Sequence, residues 1–279
     1  MRIVVALLFV QYGAQKVWGF AGGRINHEFL SLRGFAGPLE FVGGMMLALG
    51  FFTRLTAFVL CGEMAVAYFI TWAPRGFWPI TNGGENTVAF CYVFLYLVAA
   101  GAGPWSLDYV IGNRHKNTVE SKLRHERGPG TITRMLPSWE SPLRSILRIV
   151  VSFLFSLHGY RHLWGAFASP SIRRVIPMAV DLLPGVFGIV EIVGGTLLLL
   201  GLFVRPTALV LAYEAFIAYA YGAAPGGAWP VRNGGNETLI YAIVFTFLAA
   251  AGAGTWGLDS VLRSWGRLPS EGRDSRSFD

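Results

Sequence analysis

The chain has 279 residues, of which 53% are hydrophobic and only 14% are charged, and its mean hydropathy is +0.49. Soluble domains carry about 25% charged residues, so this composition excludes an ordinary soluble protein and indicates an all-α integral membrane protein. The net charge of +7 comes mainly from short polar connections, where Lys and Arg set topology. We therefore expect the partner to be the lipid bilayer and not nucleic acid.

The first apolar segment, residues 3–20, belongs to an internal duplication. Residues 5–19 match residues 151–165, and residues 40–108 match residues 191–259 without a gap, with 36 identities in 69 positions. Because the later copy of the first segment is internal, the first copy is expected to be a retained helix and not a cleaved signal peptide.

Each copy contains four apolar segments of about the length that spans a bilayer. The pattern predicts eight transmembrane helices, arranged as two parallel four-helix repeats and therefore as two bundles of four. The predicted spans are residues 3–20, 35–52, 55–73, 85–103, 146–166, 183–203, 205–223 and 236–254. The predicted divisions of the chain are a first unit at 1–111, a cytosolic polar linker at 112–142, a second unit at 143–262 and a disordered tail at 263–279.

The basic residues predict the orientation of these helices. Fifteen Lys and Arg residues fall on the side of the termini and the linker, against six on the other side. The positive-inside rule places both termini in the cytoplasm of this multi-pass protein. The loop at 74–85 and its copy at 225–237, each with Trp-Pro followed by Asn-Gly-Gly, then face outward.

Ionisable residues inside apolar helices are costly, so each one is a candidate for function. Lys16 is expected to pair with Glu40 or Glu85. Two interpretations remain open, namely structural ion networks that fix helix registry, or sites that bind the polar head of a lipophilic molecule or relay protons. The candidate quinone or proton-site residues are Lys16, Glu40, Glu63, Asn82 and Glu85, with His162, Glu191, Glu214, Asn233 and Glu237 as their second-repeat counterparts.

Other residue types point less clearly to chemistry. His158 and His162 lie one turn apart and suit a metal or haem, but no other helix supplies a histidine, so no metal site is predicted. Cys61 and Cys91 lie in apolar runs without a C-x-x-C motif and are interpreted as structural thiols. The residues indicate no resident cofactor.

Several motifs in the first copy resemble the DoxX family of bacterial four-helix membrane proteins. They are Gly13 with Lys16, residues 40–44, Gly50, Thr53-Arg54, Phe77-Trp78-Pro79, Gly83-Gly84-Glu85 and Ser106-Leu107-Asp108. The second copy departs from the pattern at Arg161-His162, at Asn236-Glu237 and at Gly257, so we expect function first in the amino-terminal half.

The resemblance implies a location in the bacterial inner membrane and a role beside redox enzymes. Family members resemble small subunits of membrane oxidoreductases, including thiosulfate:quinone oxidoreductase and terminal quinol oxidase partners, or membrane components tied to redox homeostasis. The leading hypothesis is a subunit or accessory of a quinone-linked oxidoreductase system, with a quinone as substrate and redox-complex subunits as partners. The alternative is a non-enzymatic membrane carrier or assembly partner for a small lipophilic molecule or a redox complex.

Overall fold

The computed structural model describes residues 1–23, 25, 31–120, 139–168 and 178–259. Within these ranges the regular structure is helical and contains no strand. The predicted tail and residues 121–138 of the predicted linker lie outside the described residues.

The helices of the first repeat follow the predicted order, with a broken connection before the fourth long helix. They are α1 (Arg2–Trp18), α2 (Leu32–Leu49), α3 (Thr53–Ala67), the short α4 (Pro79–Asn82) and α5 (Glu85–Ala100). A π-helical turn (Tyr68–Trp72) and a 3₁₀ turn (Ala73–Arg75) extend α3, and α6 (Leu107–Glu120) follows α5.

The second repeat contains the same elements in the same order. They are α7 (Glu140–Ala168), α8 (Met178–Leu200), α9 (Val204–Ala218), a π turn (Tyr219–Ala223), a 3₁₀ turn (Ala224–Gly226), α10 (Pro230–Asn233) and α11 (Asn236–Ala251). The correspondence of α1 with α7, and so on to α5 with α11, agrees with the duplication read from the sequence.

Some helix ends differ from the predicted spans. Helices α5 and α11 end at Ala100 and Ala251, before the predicted ends at 103 and 254, because Gly101 and Gly252 have φ of 76° and 81°. Helix α7 begins at Glu140 instead of residue 146, and α6 runs into the predicted linker as far as Glu120.

Three helical stretches in the described residues are long and apolar enough to cross a membrane, namely Thr53–Arg75, Glu140–Leu163 and Val204–Gly226. Four shorter apolar helices accompany them, at Gly34–Leu49, Glu85–Ala100, Gly185–Leu200 and Asn236–Ala251. Large apolar side chains such as Phe58, Phe69 and Leu209 are exposed on these stretches, which suits contact with lipid and not with water. The molecule is therefore a helical membrane protein, and the number of eight spans remains a prediction.

The two repeats share one hydrophobic core, which differs from the expected pair of separate bundles. The buried apolar residues of both repeats, among them Phe9, Phe90, Phe155 and Phe245, form one cluster, and Tyr96 of α5 packs against Phe247 of α11. Helix α5 also packs against α7 and α11 of the other repeat. The helices α1, α5, α7 and α11 consequently form the centre of the molecule, and the remaining long helices lie outside them.

A carboxylate cap holds the end of each repeat that lies away from the Trp-Pro loops. Asp108 accepts hydrogen bonds from the backbone N–H groups of Phe52 (2.8 Å) and Thr53 (2.9 Å), and Asp259 accepts the equivalent bonds from Phe203 and Val204. Phe52 has φ of 46°, a left-handed conformation that is strained for this residue. These motif residues are thus accounted for by the fold.

Candidate functional site

The Asn-Gly-Gly loops place the first residues of α5 and α11. Asn82 Nδ2 donates to the Gly76 carbonyl (2.8 Å), and Asn82 Oδ1 accepts from the Gly84 N–H (2.7 Å). Asn233 makes the equivalent bonds in the second repeat, both of 2.8 Å. Asn82 and Asn233, which were predicted as site residues, therefore hold the loop that precedes each helix.

Lys16 pairs with Glu40, which decides between the two partners left open by the sequence. Its Nζ donates to Glu40 Oε1, joining α1 to α2. In the second repeat, His162 Nδ1 lies 2.9 Å from Glu191 Oε2 and joins α7 to α8 in the same way. The other oxygen of Glu40, Oε2, is buried and has no hydrogen-bond partner among the described residues.

Glycines allow these helix pairs to approach closely. A Cβ on Gly13 would lie 2.8 Å from the carbonyl oxygen of Gly37, and one on Gly159 would lie 2.7 Å from that of Gly188. Such contacts are too short for a real side chain, so α1 and α7 each need glycine where they cross α2 and α8. The close crossing brings Lys16 and His162 within reach of their carboxylates.

Glu63 and Glu214 lie deeper along α3 and α9. All four of their carboxylate oxygens are buried, and none has a hydrogen-bond partner within the described residues. Glu63 interacts electrostatically with Glu40 and Lys16, and Glu214 interacts in the same way with Glu191. We call the sets Lys16–Glu40–Glu63 and His162–Glu191–Glu214 the two polar ladders.

A third polar site lies between the repeats. His158 Nε2, on α7, lies 3.1 Å from Glu85 Oε2 at the start of α5 and 2.9 Å from Glu237 Oε1 in the first turn of α11. Each of the three residues offers one possible ligand atom, a histidine nitrogen or a carboxylate oxygen. These three atoms all lie within 4.8 Å of one another. We call Glu85, His158 and Glu237 the interface cluster.

Buried polar groups line the neighbourhood of the interface cluster. Asn236 begins α11 and is 2% exposed, and its side chain interacts with the Tyr12 hydroxyl of α1. The ring of Tyr241 contacts the His158 ring edge to face at 5.8 Å, and its buried hydroxyl has no hydrogen-bond partner among the described residues. The partly buried cluster is therefore bordered by buried polar groups.

The sequence pattern placed Glu85 and Glu237 in two separate candidate sites, and His158 was not among the predicted site residues. Glu85 was assigned to the first copy and Glu237 to the second, because each copy was treated as a separate bundle. The order of residues did indicate that the two copies are not equivalent here, since α5 begins Glu85-Asn86 while α11 begins Asn236-Glu237. The packing of α5 against α11 and α7 brings the two glutamates to one place.

These features define a class of protein, a duplicated helical membrane protein with polar sites within and between its repeats. The family model for DoxX matches residues 1–73 and 143–223, which is more than half of the chain and one segment in each copy. The chain belongs to the DoxX family.

Curated relatives resemble single copies of the repeat. An uncharacterized protein of Haemophilus influenzae is 42% identical over 117 residues, which are 39% of this chain and 85% of the relative. The inner membrane protein YqjF of Escherichia coli is 30% identical over 123 residues, 40% of this chain and 90% of the relative. The uncharacterized membrane protein Rv3486 of Mycobacterium tuberculosis is 26% identical over 131 residues, 41% of this chain and 80% of the relative. No solved structure matches the chain.

Proposed function

We propose that the protein works in a quinone-linked redox system of a bacterial inner membrane. It crosses the membrane with eight helices, with both termini in the cytoplasm, and binds the quinone head group at the polar ladders. Its partners are subunits of the redox complex that exchange electrons with the quinone. The inner-membrane location is supported by YqjF, a relative whose name places it there.

The observation that carries the proposal is the set of buried carboxylate oxygens without partners in the two ladders. Glu63 and Glu214 each present two such oxygens, and Glu40 presents one. A buried polar group without a partner is rare and calls for an explanation, and in a membrane helix it marks a pathway for substrate or protons by default. The duplication repeats this costly arrangement, which favours a function over an accident of packing.

The chemistry of quinones fits the donors and acceptors in the ladders. Reduction of a quinone to a quinol takes up two electrons and two protons, one proton on each carbonyl oxygen. Lys16 or His162 can donate a hydrogen bond to one carbonyl oxygen, while Glu40 and Glu63, or Glu191 and Glu214, transfer the protons. The electrons enter from a partner protein, so this chain supplies binding and protons.

A binding experiment on the full chain tests this proposal. Purified protein in lipid nanodiscs is titrated with decylubiquinone, and quenching of the emission of its nine Trp residues is followed. Wild-type protein should bind saturably. The double variants Glu40→Gln/Glu191→Gln and Glu63→Gln/Glu214→Gln should bind about ten-fold more weakly or worse, because hydrogen bonds to charged groups are lost at both ladders.

Glu140→Gln is the matched control, since Glu140 contacts the Tyr96 hydroxyl (3.2 Å) outside both ladders. It should bind like the wild type. Absence of saturable binding, or equal binding by the ladder variants, would refute the quinone site. A further outcome is that the protein binds quinone while quinone turnover in membranes is the same with and without it. That result would favour the alternative, a non-enzymatic carrier.

A further inference from the structure

The interface cluster joins three ligand-forming side chains from three helices of both repeats. We propose that Glu85, His158 and Glu237 bind one divalent first-row transition-metal ion between the repeats. The proposal is independent of the quinone site, because none of the three residues belongs to a polar ladder.

The spacing of the ligand atoms suits a metal ion. Metal–ligand bonds of about 2.0–2.2 Å place neighbouring ligand atoms about 3.0–3.5 Å apart. His158 Nε2 lies 3.1 Å from Glu85 Oε2 and 2.9 Å from Glu237 Oε1, so both pairs are close to this separation. An ion needs only small side-chain movements to contact all three atoms.

The charge of the cluster also favours a divalent cation. Two carboxylates and a neutral imidazole carry a net charge of −2, and a protonated His158 still leaves −1. A divalent ion that displaces any proton from His158 brings the sum to zero, which is the least costly state for a site partly enclosed by apolar helices. Arg161 interacts with Glu237 but is exposed, so its charge is screened more strongly than that of an enclosed ion.

A second observation at the same place points to a missing ligand. Glu85 is only 4% exposed, and its Oε1 has no hydrogen-bond partner among the described residues although Oε2 faces His158. A metal ion bound by both oxygens of Glu85 would satisfy this atom. The side chain of Asn236, next to Glu237, is also buried; it interacts with the Tyr12 hydroxyl, and its amide oxygen can supply a further ligand.

The ligand types narrow the choice of metal. One imidazole with carboxylate oxygens suits Zn²⁺, Fe²⁺ or Mn²⁺, whereas Cu⁺ prefers sulfur and Ca²⁺ prefers a shell of oxygens alone. The set of three protein side chains leaves room for an additional ligand. The site is therefore of the open kind that can bind a small molecule or water at the metal.

The differences between the repeats predict one ion per chain and not two. The position of His158 is occupied by Tyr12 in the first repeat, and that of Glu85 is occupied by Asn236 in the second. The equivalent positions in the other repeat thus lack the imidazole. These same differences supply substitutions that the fold already accommodates in the other repeat, namely His158→Tyr and Glu85→Asn.

The test uses the full chain, purified in detergent on an affinity tag without histidine and stripped with EDTA. Titration with Co²⁺ should give visible absorption bands that saturate at one ion per chain and disappear when Zn²⁺ is added. His158→Tyr and Glu85→Asn should each weaken Co²⁺ binding by at least about ten-fold. His162→Lys is the matched control, because it carries the residue of the first repeat at a histidine outside the cluster, and it should bind like the wild type.

Absence of saturable binding, a stoichiometry of two, or unchanged binding by His158→Tyr would overturn the proposal. If the cluster variants do not purify as folded protein, X-ray absorption of Zn²⁺ on the wild type decides the question. A first shell with one imidazole and oxygen ligands supports the site, and a shell without imidazole overturns it.

Discussion

His158 Nε2 lies 3.1 Å from Glu85 Oε2, although the two residues belong to different repeats. Together with Glu237 they form a polar connection between the two halves of the protein. The repeats are thus joined by charge as well as by aromatic contacts, Trp78 with Phe153 and Tyr96 with Phe247. The two repeats carry different residues at these positions, and the histidine of the second repeat pairs with the glutamate of the first.

Removal of His158 should destabilise the metal-free protein. His158→Ala leaves Glu85 and Glu237 facing each other in a partly buried position, and loss of one partner of a buried ion pair costs up to about 3–5 kcal/mol. Thermal unfolding in detergent with EDTA, followed by Trp emission, measures the change. His162→Ala is the comparison, because its side chain is 48% exposed and an exposed pair contributes about 1 kcal/mol or less. Equal effects of the two substitutions would contradict the role assigned to His158.

Loss of the Asn82 side chain should loosen the start of α5. Asn82→Ala removes the bonds to the Gly76 carbonyl and the Gly84 N–H, and an unsatisfied buried polar group costs about 1–3 kcal/mol. Unfolding midpoints in detergent measure the loss. Thr81→Ala removes only an exposed bond to the Trp78 carbonyl and should have a smaller effect. A stable Asn82→Ala variant would show that the loop does not depend on this residue.

A methyl group at Gly159 should separate α7 from α8. A Cβ there would lie 2.7 Å from both the Gly188 carbonyl oxygen and the Glu191 Cβ, and overpacking of this kind costs about 1–3 kcal/mol. Gly62→Ala is the control, since no atom lies within 4 Å of a Cβ at that position. Alanine favours helix over glycine by about 1 kcal/mol, so Gly62→Ala should unfold at the same or a higher temperature. The crossing geometry would be wrong if the two variants lost stability equally.

Cys61 and Cys91 should form a disulfide when the protein is oxidised. Their Sγ atoms lie 3.7 Å apart across α3 and α5, and a rotation of the side chains can bring them to the bond length of about 2.05 Å. Treatment with diamide should block maleimide labelling of both thiols, and dithiothreitol should restore it. The second repeat carries Ala212 and Ala242 at these positions, so the Cys61→Ala variant should fold. In that variant, maleimide should still label Cys91 after diamide treatment. If maleimide labels both thiols in the oxidised wild-type protein, the contact is refuted.

Much of the fold followed from the sequence because its signals are local or repeated. The apolar segments, the matching copies and the motif residues predicted a duplicated helical DoxX protein, and the family match confirms that membership. The boundary of α5 at Glu85 also agrees, because paired glycines end the preceding turn and a carboxylate suits the first turn of a helix. The roles proposed for the polar residues stay predictions until the experiments above are done.

The partners of the polar residues were decided only by the tertiary structure. Lys16 could reach Glu40 or Glu85 by its position in the sequence, and the close crossing of α1 and α2 at Gly13 selects Glu40. Glu85 was assigned to the amino-terminal half, but the shared core directs it to His158 of the other half. A periodic pattern predicts which face of a helix is buried. It does not predict which other helix packs against that face, because this depends on how the repeats pack. The sequence by itself thus determined the helices, the duplication and the family, and the packing between the repeats created the interface cluster.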